Sequence, residues 1–257
     1  MSEILEMIRY LVRRAGQIQL EHVGKVKKIE YKGVIDPVTE VDRKCEKFIV
    51  GEIQRLFSGD DILAEEGSGR RQRSENRWII DPLDGTVNYA HGFPFFSVSV
   101  ALEQNGEVVA GAVYDPTRDE LFEAEKGGGA RLNGKSIHVS ETSELQKSLL
   151  ATGFAYNIQE GEALDNLDNF ANFIKCAQAV RRPGSAAIDL SWTAAGRIDG
   201  FWELFLKPWD MAAGLLIIRE AGGKATSFDG SPFDLYGREI LVSNGLIHDE
   251  MIDILAR

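Results

Sequence analysis

One stretch constrains this chain more than any other: Trp78-Ile79-Ile80-Asp81-Pro82-Leu83-Asp84-Gly85-Thr86-Val87-Asn88-Tyr89. Trp78 to Ile80 are apolar and β-prone, the make-up of a buried strand. Pro82 lacks an N–H and ends the hydrogen-bond ladder just after the first carboxylate. Asp84 then stands where a helix N-cap would, followed by Gly85 and Thr86. A short piece of chain thus offers two carboxylates around a sharp bend, beside the amide N–H groups of a helix start. Helix starts favour anions such as phosphate, and paired carboxylates favour a hard cation such as Mg²⁺. The combination points to a metal-bridged phosphate site.

The rest of the composition narrows the partners. A chain of 257 residues can bury a sizeable core, and its 44% hydrophobic and 27% charged residues are those of a globular protein. The formal charge of −11 repels nucleic-acid backbones, so no nucleic-acid partner is expected. An acidic protein that handles an anionic ester needs local positive charge, which bound metal supplies. Glu3, Glu6 and Arg9 interrupt the opening segment, which therefore reads as neither a signal peptide nor a membrane span. Cys45 and Cys176 both lie in helical patterns, so a reduced, cytoplasmic protein without disulfides is expected. HExxH, CxxC-pair and G-x-S-x-G patterns are absent from the sequence.

Helical spacing of Ile4, Leu5, Ile8, Leu11, Val12 and Ala15 predicts a first helix that Gly24 closes. Lys25 to Ile35 is basic and irregular, a loop or loose hairpin around Lys32-Gly33. A second helix starts near Thr39 with Asp42 in its first turn, and Ile62-Leu63-Ala64 runs into Glu65-Glu66-Gly67. Asn105-Gly106 between two apolar runs is a hairpin signal, and Asn133-Gly134 marks another turn. Strands are expected at Ser148–Gly153, Phe201–Leu206 and Ile240–Val242, and helices over Leu164–Ala179, from Ser185 to near Gly196, from Pro208 to Gly222 and after His248. The irregular mixture indicates layered α+β architecture.

Carboxylates directly after a short strand or at a helix start recur at Glu65-Glu66, at Asp81 with Asp84, and at Asp210. Such acids also serve as plain caps and dipole partners. Thr39-x-x-Asp42 resembles a capping box, and Asp84 and Asp210 fit N-caps. His22, His91, His138 and His248 are scattered and read as structural or surface groups, and Trp192 and Trp202 as packing residues.

The central stretch, Glu65-Glu66 and Trp209-Asp210-Met211-Ala212-Ala213-Gly214 together resemble the inositol monophosphatase family of magnesium-dependent, lithium-sensitive phosphatases. The resemblance runs over nearly the whole chain. Arg182-Pro183-Gly184-Ser185-Ala186-Ala187 and Lys207-Pro208-Trp209-Asp210 look most like its bacterial branch. It implies an α+β fold, a layered α/β/α/β/α sandwich of the inositol monophosphatase and fructose-1,6-bisphosphatase type, and a homodimer. Residues 1–145 would carry most metal ligands, and 146–257 would add Asp210 and the substrate contacts, as one compact unit. Glu65, Asp81 and the Leu83 carbonyl would hold one Mg²⁺, and Asp81, Asp84 and Asp210 a second, with Glu65 also near a further ion. Gly85 and Thr86 would bind phosphate through their N–H groups, and Thr86 with Asp42 would orient and deprotonate the attacking water. Glu203, Gly184, Ser185 and Ala186 would meet substrate hydroxyls with Arg181 nearby, and Lys32 would correspond to a loop lysine. Read without the resemblance, Glu203 is an ordinary exposed strand residue, and Arg181 or Arg182 pairs with local acids.

The chemistry implied is hydrolysis of myo-inositol monophosphate, by in-line attack of a metal-activated water and without a phosphoenzyme. Fructose-1,6-bisphosphatase activity, alone or dual, is the alternative within the class, with Arg181 or Arg182 meeting a second phosphate. Histidinol phosphate and nucleotide phosphates stay open as esters. From other classes, a metal-bound regulatory module without turnover and a two-carboxylate glycosidase also remain to be separated.

Overall fold

Successive side chains along a strand point to opposite faces, so each sheet face has its own set and its own covering helices. The computed structural model describes residues 2–25, 29–31, 37–154 and 165–256. Helix α1 (Glu3–His22) leads to a short antiparallel pair, β1 (Ile29–Tyr31) with β2 (Pro37–Thr39), and then α2 (Glu40–Leu56). Lys32 lies outside the described residues. The largest described sheet follows: β3 (Asp61–Ala64), β4 (Asn76–Asp84), β5 (Ser97–Gln104), β6 (Glu107–Asp115), β7 (Glu120–Glu125), β8 (Ala130–Leu132) and β9 (Lys135–Ser136), hydrogen-bonded in that order. The one-turn α3 (Thr86–Ala90) interrupts it after β4. A second sheet contains β10 (Leu149–Thr152), β11 (Ala179–Arg181), β12 (Gly200–Leu204), β13 (Lys224–Thr226) and β14 (Glu239–Ser243), in the order β11-β10-β12-β14-β13. Helices α4 (Leu167–Cys176), α5 (Ala186–Ala194), α6 (Pro208–Glu220) and α7 (His248–Leu255) complete the fold.

The residues of one strand sort the layers. In β4, Trp78 and Ile80 pack with Leu11, Val12 and Ile49 of α1 and α2, whereas Ile79 packs with Leu190 of α5 and Ala213 and Ile217 of α6. In β14, Ile240 and Val242 join that same central core. Leu241 turns the other way, with Trp202, Phe173 of α4 and Met251 of α7. The order is therefore helix, sheet, helix, sheet, helix, the expected α/β/α/β/α sandwich. The middle helices fit between two sheets because their contact residues are small. An added Cβ on Gly111 of β6 would come within 3.0 Å of the Ala213 Cα, and one on Gly214 within 2.7 Å of the Leu190 side chain.

Two elements differ from expectation, and a third, β7, was not anticipated. β4 runs on past Pro82 to Asp84, because the chain re-pairs with β5 beyond an irregularity. The helix expected to reach Ala179 stops at Cys176, and Ala179–Arg181 instead pairs with the open edge of β10. In β7 the carboxylates mask an alternating pattern, and Glu123 is buried because Arg9 of α1 pairs with it. Elsewhere the turns follow the glycines: Asn105 and Gly106 both take positive φ, at 50° and 81°, as a two-residue hairpin requires.

Glycine chemistry separates packing from propensity. Gly51 lies on the exposed side of α2 with nothing within 4 Å of its missing Cβ. Gly51→Ala is expected to stabilise the protein by about 0.5–1 kcal/mol. Gly111→Val should destabilise it by about 1–3 kcal/mol through overpacking against α6. Denaturant unfolding of both variants checks the pair; similar effects would contradict the close α6 contact.

Candidate active site

Asp81 and Asp84 are three residues apart, a spacing that in a regular strand sends side chains to opposite faces. Asp81 pairs with Ser99 and Asp84 with Ser97, so Pro82 and Leu83 together oppose Val98 alone. This β-bulge absorbs the extra residue, and both carboxylates open onto one cavity. Asp81 Oδ1 accepts the Leu83 N–H at 2.9 Å, which fixes the bend. Parallel pairing of Ala64 with Ile80 sets Glu65 beside Asp81, and the Glu65 N–H donates to the Ile80 carbonyl at 3.3 Å.

Two longer helices begin at the same place. Ser99 donates its hydroxyl to the Trp209 carbonyl at 3.2 Å, which ties the first turn of α6 to β5 next to Asp81. There Asp210 Oδ2 accepts the Lys207 N–H at 2.7 Å. Asp84 Oδ2 accepts the Ala187 N–H at 2.8 Å and the Ser185 hydroxyl, at the start of α5. Asp84 therefore satisfies a helix start about a hundred residues away, not that of α3 as its local sequence suggested. Gly85 takes the N-cap place of α3 at φ 93°, with room for no side chain: a Cβ there would lie 3.0 Å from the Phe95 carbonyl oxygen.

Behind the cavity wall, the Thr86 hydroxyl faces Asp42 Oδ1 at 2.9 Å and the Leu83 carbonyl at 3.0 Å. Asp42 Oδ2 accepts the Thr39 N–H at 2.9 Å and the Thr39 hydroxyl, so the capping box is present. Structural and functional readings of Asp42 thus coexist. Its carboxylate is fully buried and reaches the cavity only through Thr86.

The cavity, of about 800 Å³, lies where the end of β4 meets the ends of β10 and β12. Glu65, Asp81, Leu83, Asp84, Gly85, Thr86, Gly184, Ser185, Ala186, Glu203 and Asp210 all line it. Glu203 is buried there, not exposed, because Gly153 at the end of β10 leaves space for its carboxylate. Arg181 is not brought in. It is exposed at the end of the edge strand β11 and donates to the Val180 carbonyl at 3.2 Å, while Arg182 takes the cavity wall. Asp189, Lys207, Tyr236 and Arg238 also line the cavity and were not anticipated. Asp189 carried one signal: it is the lone carboxylate in the otherwise apolar and small-residue run of α5.

Crowding of like charge dominates the electrostatics. Burial holds Asp81 well above the usual carboxylate range, and the charges of Glu65, Asp84 and Asp210 add to it. Asp210 is raised for the same reasons, burial first and then Asp84 and Glu65. Burial lifts Asp84 to about 6 against the hydrogen bonds from Ser185 and Ala187, and lifts Glu203 to about 8 against the pull of Arg182. Asp42 is raised by burial despite its bonds from Thr39 and Thr86.

A divalent cation fits this donor set, since hard oxygens suit Mg²⁺ and a cation would relieve the repulsion that raises Asp81 and Asp210. Among the described residues no three carboxylate, imidazole or thiol side chains are already gathered tightly enough to hold an ion.

Known proteins resemble this chain over nearly its whole length. A sequence model of the inositol monophosphatase family matches residues 1–257. The chain is 47% identical to an inositol-1-monophosphatase of Synechocystis over 98% of its length and 88% of that protein. It is 40% identical to a fructose-1,6-bisphosphatase/inositol-1-monophosphatase of Thermotoga maritima, covering 95% of this chain and 93% of the relative. The solved inositol monophosphatase of Anabaena superposes with a TM-score of 0.90 at 41% identity, over 98% of this chain and 95% of that one. Fold and site define a phosphatase, an enzyme of the phosphoric monoester hydrolase class. More particularly, the chain belongs to the inositol monophosphatase family.

The raised carboxyls give the protein a pH signature. The unfolded chain loses these protons near ordinary carboxylate values, while the folded chain keeps that of Glu203 up to about 8. A folded state that holds the extra proton loses stability as pH rises through this window. His248 acts in the opposite sense: burial lowers it to about 4 from 6.5, so its contribution is complete by about pH 6.5. Chelated protein should therefore lose thermal stability between roughly pH 6.5 and 8. Mg²⁺, which binds the deprotonated carboxylates, should stabilise more at the upper end, by about 2.7 kcal/mol at a hundred times its Kd. Melting curves with and without chelator check both; a chelated midpoint that rises with pH would contradict them.

Proposed function

We propose that the chain is a Mg²⁺-dependent phosphomonoesterase that hydrolyses myo-inositol monophosphate to inositol and phosphate. The observation that carries this is the opening of Glu65, Asp81, Asp84 and Asp210 onto one cavity, beneath the starts of α5 and α6 and facing Glu203. Glu65, Asp81 and the Leu83 carbonyl would hold one ion, and Asp81, Asp84 and Asp210 another. Bound divalent ions supply neutralisation of the phosphate oxygens and a lowered pKa for water.

The chain's own residues do the rest. Gly85 and Thr86 begin a helical turn, where N–H groups have no intrahelical acceptor, and these orient the phosphate. Thr86 Oγ1 accepts a proton from the attacking water and passes its own to Asp42 Oδ1, along the 2.9 Å contact. Asp42 is thus a positioning residue and the final proton store. Glu203, with Ser185 and the backbone of Gly184 and Ala186, lines the same cavity and would meet the alcohol part of the ester. A homodimer, as the family resemblance implies, and a cytoplasmic setting belong to the same reading. Free Cys45 and Cys176 support a reducing compartment, and among the described residues no helix is long and apolar enough to cross a membrane.

A second reading has a specific observation behind it. Arg182, Lys207 and Arg238 line the cavity, so a second phosphate has cationic partners. Fructose 1,6-bisphosphate is therefore the alternative ester, alone or beside inositol phosphate.

Phosphate release from inositol 1-phosphate and fructose 1,6-bisphosphate in Mg²⁺, with and without chelator, separates these readings. Release is expected to need Mg²⁺; full activity in chelator would reject the metal mechanism. No release from either ester would favour a binding module instead. Asp84→Asn keeps the acceptor for Ser185 and Ala187 but loses a metal ligand. It should lower turnover on the order of a hundredfold or more while the melting curve changes little. Near-native turnover would remove Asp84 from the assignment.

A further inference from the structure

Asp189 has no part in the assignment above, yet it is buried against the substrate side of the cavity. It sits in the first turn of α5, with its backbone N–H bonded to the Ser185 carbonyl. Its residue surface is 2% exposed, and Oδ1 has no hydrogen-bond partner. Four other carboxylates here are supported by the protein: Asp81 by the Leu83 N–H, Asp84 by Ser185 and Ala187, Asp210 by the Lys207 N–H, Asp42 by Thr39 and Thr86. Asp189 has for neighbours the carboxylates of Glu203 and Asp84 and the guanidinium of Arg182. A buried carboxyl atom without a donor costs stability, and the fold gains nothing visible from it.

We infer that Asp189 is a specificity-determining residue, taking a hydrogen bond from one hydroxyl of the substrate's alcohol half while Glu203 takes one from its neighbour. This rests on the phosphomonoesterase reading and names the substrate class it serves: monoesters of polyols or sugars with at least two further hydroxyls. Two carboxylates side by side match adjacent hydroxyls, each of which donates one proton. The Asp189 carboxyl borders the cavity, and a carboxyl group keeps an acceptor oxygen in either protonation state. Arg182 holds the local charge in balance, and Gly153 keeps the wall open, because any side chain there would strike the Glu203 carboxylate. An ester without hydroxyls would leave both acids unpartnered, the situation in which a hydrogen-bonding pocket discriminates most strongly.

The test compares inositol 1-phosphate with phenyl phosphate, which has no hydroxyls, on the full chain in Mg²⁺. Initial rates and melting midpoints are measured for the unaltered protein, Asp189→Ala and Asp189→Asn. Asp189→Ala should raise KM for inositol 1-phosphate about tenfold or more and leave kcat/KM for phenyl phosphate within about twofold. Its melting midpoint should hold or rise, since the variant removes a buried unpartnered group. Asp189→Asn keeps one acceptor and should show the same selectivity to a smaller degree. Equal losses on both esters, or no loss on either, would overturn the role of Asp189. A lowered midpoint without selective loss would overturn it too, in favour of a structural role. If the alanine variant does not fold, the asparagine variant decides on the same ratio. An unaltered protein that releases phosphate from neither ester would reject the phosphomonoesterase reading itself.

Discussion

Mutual repulsion among carboxylates is the constraint around which this fold is arranged. Asp81, Asp84 and Asp210 line one cavity, where burial and neighbouring acids, Glu65 among them, raise Asp81 and Asp210 above the usual carboxylate range. Alone, such a cluster opposes folding. What makes it tolerable is where the backbone puts its own partial charges. The first turns of α5 and α6 both meet the cluster, and helix starts favour negative charge. Asp84 bonds the Ala187 N–H and Asp210 the Lys207 N–H, so each helix contributes donors to one acid. The same field suits a dianionic ester once a divalent cation lies between the two sets of negative oxygens.

The sandwich supplies the rigidity this needs. The middle layer, α5 and α6, touches both sheets through alanine and glycine, so their first turns are fixed relative to β4 on one side and β12 on the other. Strand β4 is buried on both faces, which sets the bulge at Pro82-Leu83 within a rigid frame. The cavity opens where the regular pattern breaks: at the bulge, at positive-φ Gly85, and at the close approach of Gly153 to Glu203.

Much of this was legible along the chain, because the signals were local. Helical spacing placed α1 and α2, Asn105-Gly106 placed a hairpin, and the acids after short strands marked the carboxylate-lined part of the cavity. What stayed hidden depends on pairing. The two-against-one count that aligns Asp81 with Asp84 exists only once β5 is beside β4. Glu65 meets Asp81 through a parallel register that sequence separation does not reveal. Asp84 looked like the cap of its own following turn, yet it serves a helix from the far half of the chain. Arg181 and Arg182 were indistinguishable until β11 formed and left the first on the outside and the second in the wall. Asp189 passed unnoticed within a helix read for its small residues.

The central claim is that acids from separate elements form one divalent-cation centre. Anomalous diffraction from crystals grown with Mn²⁺ in place of Mg²⁺ tests it most directly. The account predicts density peaks bounded by Glu65, Asp81, Asp84 and Asp210. Saturating Mn²⁺ that leaves this cavity without a peak, or that orders only on other surfaces, would contradict it.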